Sequence, residues 1–201
     1  MEESGREKIE LKSENEISVP EKKENFWVET IRFVALAILI VFPIRYFIAQ
    51  PFIVSGSSMD PTFIDGEYLI VDQVSYRFEE PRRGDVIIFK YPLDPRKYYI
   101  KRVIGLPGET LTMKGEKLTI TKTDGKKIDW PEPYVKNTIP QNFTSTLTDS
   151  EYFVMGDNRP ASSDSRIWGP LDRKFIIGRP AVRLLPVTKL GVFPGEAHVA
   201  N

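Results

Sequence analysis

Three short segments hold the side chains with chemistry in them: VSGSSMDPT at 54–62, YYIKRVIGLPGE at 98–109 and GDNRPASSDSRIWGP at 156–170. The first is a small-residue loop ending in Thr62 after Pro61, where glycine and serine let another backbone come close. A hydroxyl in such a loop ordinarily serves a turn, so Ser58 becomes a candidate nucleophile only with a base beside it. The single histidine, His198, stands three residues from the C-terminus, where chains rarely hold a base in place. That argues against a serine–histidine triad and leaves lysine or a carboxylate as the base. Lys101 stands out. A lysine of pKa about 10.4 is neutral in only a few parts in ten thousand at pH 7, so a lysine base must be desolvated. On a strand, residues 99, 101 and 103 share a face, which puts Lys101 between Tyr99 and Val103 where burial is expected.

The third segment is dense in polar residues yet bracketed by apolar ones, so its backbone and side chains need internal partners. Asp157, Arg159, Asp164 and Arg166 are suited to pair and stiffen a site. Composition removes other chemistries. There is no cysteine, hence no thiol nucleophile, disulfide or thiolate metal site. One histidine argues against a multi-histidine metal centre, and neither metal nor organic cofactor is expected. Lysine plus arginine equal aspartate plus glutamate at 28 each, so no net field recruits nucleic acid, and no nucleic-acid partner is expected.

Two kinds of element must position these residues. Residues 1–25 are rich in Glu, Lys and Ser and read as a disordered tail. The run FVALAILIVFPI at 33–44 is wholly apolar and flanked by Arg32 and Arg45. It reaches the roughly 20 residues of a span if residues 26–52 are taken as an anchor with the arginines snorkelling and Trp27, Tyr46 and Phe47 at the interfaces. Lys22, Lys23 and Arg32 before the run predict a single-pass protein with a cytoplasmic N-terminus and everything beyond residue 52 on the outer side of the cell membrane.

After the anchor the pattern changes to short apolar runs at 68–71, 86–91, 98–103, 118–121, 152–155 and 181–185, which read as strands. Asp65-Gly66, Arg83-Gly84-Asp85, Pro107-Gly108, Lys114-Gly115 and Asp124-Gly125 punctuate them as tight turns. No long amphipathic helix intervenes. The expected fold is mainly β: an antiparallel sheet domain with one N-terminal transmembrane helix. The expected division is a catalytic β-domain at 53–110 and 151–190, a small inserted β-lobe at 111–150 and a C-terminal tail at 191–201.

With the small-residue loop following a span, then YIKRVIGLPGE, then GDNRPASSDSR in that order, the chain resembles bacterial type I signal peptidase over residues 26–185. The resemblance implies Ser58 as nucleophile, Lys101 as general base and Ser162 as the serine that orients the lysine. It implies structural pairs between Arg102 and Asp157 and between Asp164 and Arg166. The Ser58 backbone N–H is the implied oxyanion donor. Gly56 stands where some family members carry a serine hydroxyl as a second donor. The implied substrate is a secretory preprotein signal peptide with small residues at −1 and −3, held by Phe52, Val54, Met59, Tyr99 and Ile100 at a lipid bilayer. Two rivals compete: a self-cleaving repressor-type protease, which lacks the span and the GDN segment, and a catalytically silent membrane-anchored scaffold.

Overall fold

The computed structural model describes residues 26–43 and 49–197. The expectations for the tail at 1–25, for Arg45, Tyr46 and Phe47, and for His198 lie outside the described residues.

Helix α1 runs Phe26–Pro43. Ile31, Phe33, Val34, Leu36, Ile38, Leu39, Ile40 and Val41 are all exposed, so apolar surface lies around the helix instead of forming one stripe. At ~1.5 Å per residue, its 18 residues extend ~27 Å. Among the described residues, no helix is long and apolar enough to cross a membrane. The expected anchor at 26–52 is corrected at its C-terminal end, because Ala49–Ile53 forms strand β1. Pro43 closes the helix and Pro51 sits in the edge strand, but the residues between them stay largely apolar, so hydropathy alone runs the expected anchor through both elements.

The strands that follow are β2 (Tyr68–Asp72), β3 (Val86–Tyr91), β4 (Asp94–Gly105), β5 (Thr110–Gly115), β6 (Lys117–Thr121), β7 (Lys127–Asp129), β8 (Gln141–Thr146) and β9 (Glu151–Met155). A short helix α2 (Ser165–Trp168) precedes β10 (Leu171–Asp172), β11 (Ile176–Leu185) and β12 (Gly191–Val192). The larger sheet has the order β1-β2-β11-β3-β4-β9-β10, with β12 paired to β11. The smaller has the order β7-β6-β5-β8 and makes a lobe over residues 110–146. All pairings are antiparallel. The five glycines of the expected turns, at 66, 84, 108, 115 and 125, all have positive φ, the region open to a residue without Cβ.

Three apolar clusters hold the sheets. Ile87, Phe89, Val103, Tyr152 and Val154 fill one face of the larger sheet. Ile104, Phe153 and Met155 on its other side pack against Leu111, Met113, Leu118 and Ile120 of the lobe. Val54, Met59, Phe63, Leu69 and Val86 form the third, under the loop that carries Ser58. The expected C-terminal tail is corrected too. Its first residues form β12 against β11, and Gly195 O accepts a hydrogen bond from Arg102 Nη1 at 2.6 Å, so this segment closes over a buried guanidinium.

Strand β4 matters most for the site. Residues 98–102 pair with β3, while the opposite edge meets β9 only from Arg102 onward. One edge before Arg102 is therefore left open, and β1 likewise pairs on one side only.

Candidate active site

The loop at 54–67 would be a floppy excursion of small residues were its ends and middle not tied. Val54 N–H donates to Glu67 O, and Gly66 N–H to Val54 O, each at 2.9 Å, closing its base. Gly56 N–H donates to Asp65 Oδ1 at 2.7 Å. Arg183 of β11 donates through Nη2 to Thr62 O at 2.7 Å and lies 3.0 Å from the buried Glu67 carboxylate. Met59 and Phe63 then plug the loop into the core.

Ser58 and Lys101 meet across this junction, with Ser58 Oγ 2.6 Å from Lys101 Nζ. Lys101 is only 4% exposed. Its amine donates to Ile100 O at 2.9 Å, and the Tyr99 ring centroid lies 5.4 Å away. Burial lowers the lysine pKa from 10.5 to about 8; the charges of Asp164 and Asp157 oppose that fall, and Arg166 assists it. At neutral pH an amine so placed is neutral about a tenth of the time, far more than a solvated lysine.

Behind the pair stand two buried ion pairs. Arg102 meets Asp157 through both Nε and Nη2, at 2.9 and 2.7 Å, and its other donors reach Gly84 O and Gly195 O. Asp157 in turn accepts from Thr62 Oγ1 at 2.5 Å, linking this pair to the serine loop. Arg166 meets Asp164 at 2.8 Å through both Nε and Nη2. Burial alone would push the Asp164 carboxyl up, but hydrogen bonding and charge from Arg166, with help from Ser162 and Gly156 N–H, hold it below the usual carboxylate range. Ser162 is buried beside Asp164, yet its Oγ makes no hydrogen bond of ordinary geometry, to Lys101 or any other described residue.

A cleft of about 490 Å³ opens in front of the pair. Of the residues expected to hold substrate, Phe52, Val54, Tyr99 and Ile100 line it, with Leu69, Ile88 and Tyr98. Met59 does not. It is 1% exposed and packs inward with Val54 and Phe63, which corrects its expected place on the cleft wall. An irregular loop has no side-chain period, so residue type alone could not tell inward from outward there. Among the described residues, no cluster of histidine and carboxylate groups could hold a metal ion.

Sequence reasoning passed over several supports. A Cβ on Gly156 would overlap both Ser162 Oγ and Ser58 O, so the bare backbone there is what lets the two loops touch. Asn158 binds the serine loop through its backbone N–H, to Ser58 O, and its side chain, to Ser57 O, each at 3.0 Å. Glu132 of the lobe pairs with buried Arg159, whose Nε donates to Gly156 O. The density of polar residues in 156–170 marks the region, but no pattern identifies which carbonyl each donor will find.

Residues 27–185 match the family model described as signal peptidase, peptidase S26. A signal peptidase I of Leptolyngbya laminosa is 36% identical over 179 residues, covering 85% of each chain. A probable signal peptidase I-2 of Synechocystis is 33% identical over 182 residues, covering 87% of this chain and 81% of its own. Among solved structures, a signal peptidase I of Enterococcus faecalis is 32% identical and matches over 50% of this chain and 97% of its own, with a TM-score of 0.41.

Proposed function

Because the chain belongs to the signal peptidase family, peptidase S26, and its relatives are signal peptidases I, we propose that Ser58 is its nucleophile and Lys101 its general base. The observation that carries this is the 2.6 Å approach of Ser58 Oγ to an amine buried to 4% exposure with a pKa of about 8. Neutral Lys101 takes the Ser58 proton as Oγ adds to the scissile carbonyl. The Ser58 backbone N–H donates to the resulting oxyanion. Collapse breaks the C–N bond while the Lys101 ammonium returns a proton to the leaving amine. Water, deprotonated by the same amine, then hydrolyses the acyl ester. Ser162, buried beside the Asp164 carboxylate whose charge acts on Lys101, is the residue assigned to orienting the lysine.

The substrate is a secretory preprotein whose signal peptide lies extended in the cleft, between the open edges of β1 and β4. Shallow pockets walled by Phe52, Val54, Tyr99 and Ile100 admit small side chains at −1 and −3 and reject branched ones by overlap. The apolar girth of α1 supports attachment to the cell membrane, with the N-terminus cytoplasmic and the cleft on the outer side. Attachment confines enzyme and membrane-borne substrate to one surface and raises their effective concentration.

The test is cleavage of a labelled preprotein in detergent by the wild type, Ser58→Ala and Lys101→Ala. Cleavage by the first alone is expected. Full activity in either variant refutes the assignment, and an inert wild type favours the scaffold reading.

A further inference from the structure

One polar contact on the serine loop has no part in moving protons. Asn158 Nδ2 donates to Ser57 O at 3.0 Å. The acceptor is a carbonyl oxygen, so the amide nitrogen and not Oδ1 must face it. Asp60 N–H donates to the same oxygen at 3.2 Å. The backbone N–H of Asn158 separately holds the next carbonyl, Ser58 O, at 3.0 Å.

Ser57 O and Ser58 N–H belong to one peptide unit. That unit is trans, and a trans peptide is planar with its C=O and N–H pointing in opposite directions. Whatever holds the oxygen therefore aims the N–H. On its far edge Ser58 N–H makes no hydrogen bond among the described residues, and Ser58 borders the cleft. Gly56, at φ +90°, lies just upstream and lends the run little stiffness of its own. Without a donor on Ser57 O, the plane could turn through coupled rotation about its two flanking bonds, and the N–H would swing away.

We infer that Asn158 is the positioning residue for the oxyanion donor: its carboxamide locks the Ser57–Ser58 peptide so that Ser58 N–H stays aimed at the developing oxyanion. The role rests on Ser58 being the nucleophile. It carries more weight in this chain because Gly56 has no hydroxyl to share the charge. Asp60 N–H provides a longer, partial hold, so removing the Asn158 amide weakens the aim without abolishing it.

The experiment compares Asn158→Ala and the isosteric Asn158→Asp with the wild type, as full chains in detergent. Cleavage of a preprotein-derived peptide gives kcat and KM. A peptide aldehyde, which forms a tetrahedral adduct with Ser58 Oγ, is set against binding of the cleaved signal-peptide product. A fall in kcat of about tenfold to a hundredfold is expected, below the full loss of an oxyanion donor, with aldehyde affinity falling by a similar factor. KM and product binding stay put, as does the pH dependence set by Lys101 in Asn158→Ala; the added carboxylate of Asn158→Asp acts on Lys101 as Asp157 and Asp164 do, so its kcat is compared on the high-pH plateau. Asn158→Asp should fall at least as far, since its carboxylate cannot donate to Ser57 O; if Asn158→Ala fails to fold, the Asp variant decides. A kcat within twofold of wild type, or a parallel loss of product binding, overturns the inference. Ser58→Ala is the control. Residual full activity there would fail the nucleophile assignment itself, whereas an inert Ser58→Ala beside fully active Asn158 variants fails only the role given to Asn158.

Discussion

Replacing Lys101 by methionine keeps a long apolar stem and removes the amine, and its effect on stability should depend on pH in a way fixed by burial. In the unfolded chain the lysine keeps its ordinary value of 10.5, and in the fold it falls to about 8. Between those two values the unfolded state binds a proton that the folded state does not, so the wild type gains stability as pH rises through the window. Below about 8 both states are protonated, and the fold carries the whole cost of a buried ammonium. The gap corresponds to ~3 kcal/mol, by the usual 1.36 kcal/mol for each tenfold change. The conversion is reasonable because Lys101 is 4% exposed, leaving little room for solvent screening. Lys101→Met carries no such cost and does not titrate. Urea denaturation of both proteins at pH 7, 8.5 and 10.5 should show the wild type gaining ~3 kcal/mol on the variant across the series. Other ionisable groups are shared and cancel in the difference. A difference that stays constant with pH, or a wild type that loses ground to the variant as pH rises, would refute the claim that the amine is stripped of water.

Two further outcomes follow from the same geometry. The logarithm of kcat/KM for preprotein cleavage should climb with unit slope below a pH of about 8 and level off above it, since only the neutral amine accepts the serine proton; a profile governed by a group near pH 6 would contradict this. Gly156→Ala should cost about 1–3 kcal/mol of stability in a thermal or urea titration, and at least tenfold in kcat, because the new methyl overlaps Ser162 Oγ and Ser58 O and pushes the two loops apart. Unchanged kcat in that variant would mean the loops can yield without disturbing the pair.

Much of this architecture is written in local chemistry. Glycine after Asp65, Arg83, Pro107, Lys114 and Asp124 marks turns because only glycine takes positive φ freely, and all five do so. The apolar runs at 68–71 and 152–155 lie within strands because their side chains alternate or fill a buried sheet. Ser58 and Lys101 are 43 positions apart yet meet at 2.6 Å. What stayed hidden depends on backbone atoms or on irregular chain. Arg102 is covered by the carbonyl of Gly195, and a carbonyl has no letter in a sequence. Met59 turns inward in a loop with no period to reveal it. The strand at 49–53 lies beyond Pro43, the last helical residue, and itself holds Pro51, but the stretch between stays largely apolar, so hydropathy outweighs the two prolines in the expected anchor.

Strand β4 works as a ruler. Along four successive residues it sets down a cleft wall, Tyr99 and Ile100, then the amine at 101, then the guanidinium at 102, with the last two turned to opposite faces and both shut away from water. Because neighbouring side chains on a strand always alternate, a single residue gained or lost between Tyr98 and Arg102 would carry every later side chain to the wrong face. A residue lost before Lys101 would put the guanidinium where the amine now meets Ser58, and a residue gained there would put the amine where the guanidinium now meets Asp157. The spacing from cleft wall to amine to guanidinium is thus set by strand alternation, a constraint that the turns flanking β4 do not share.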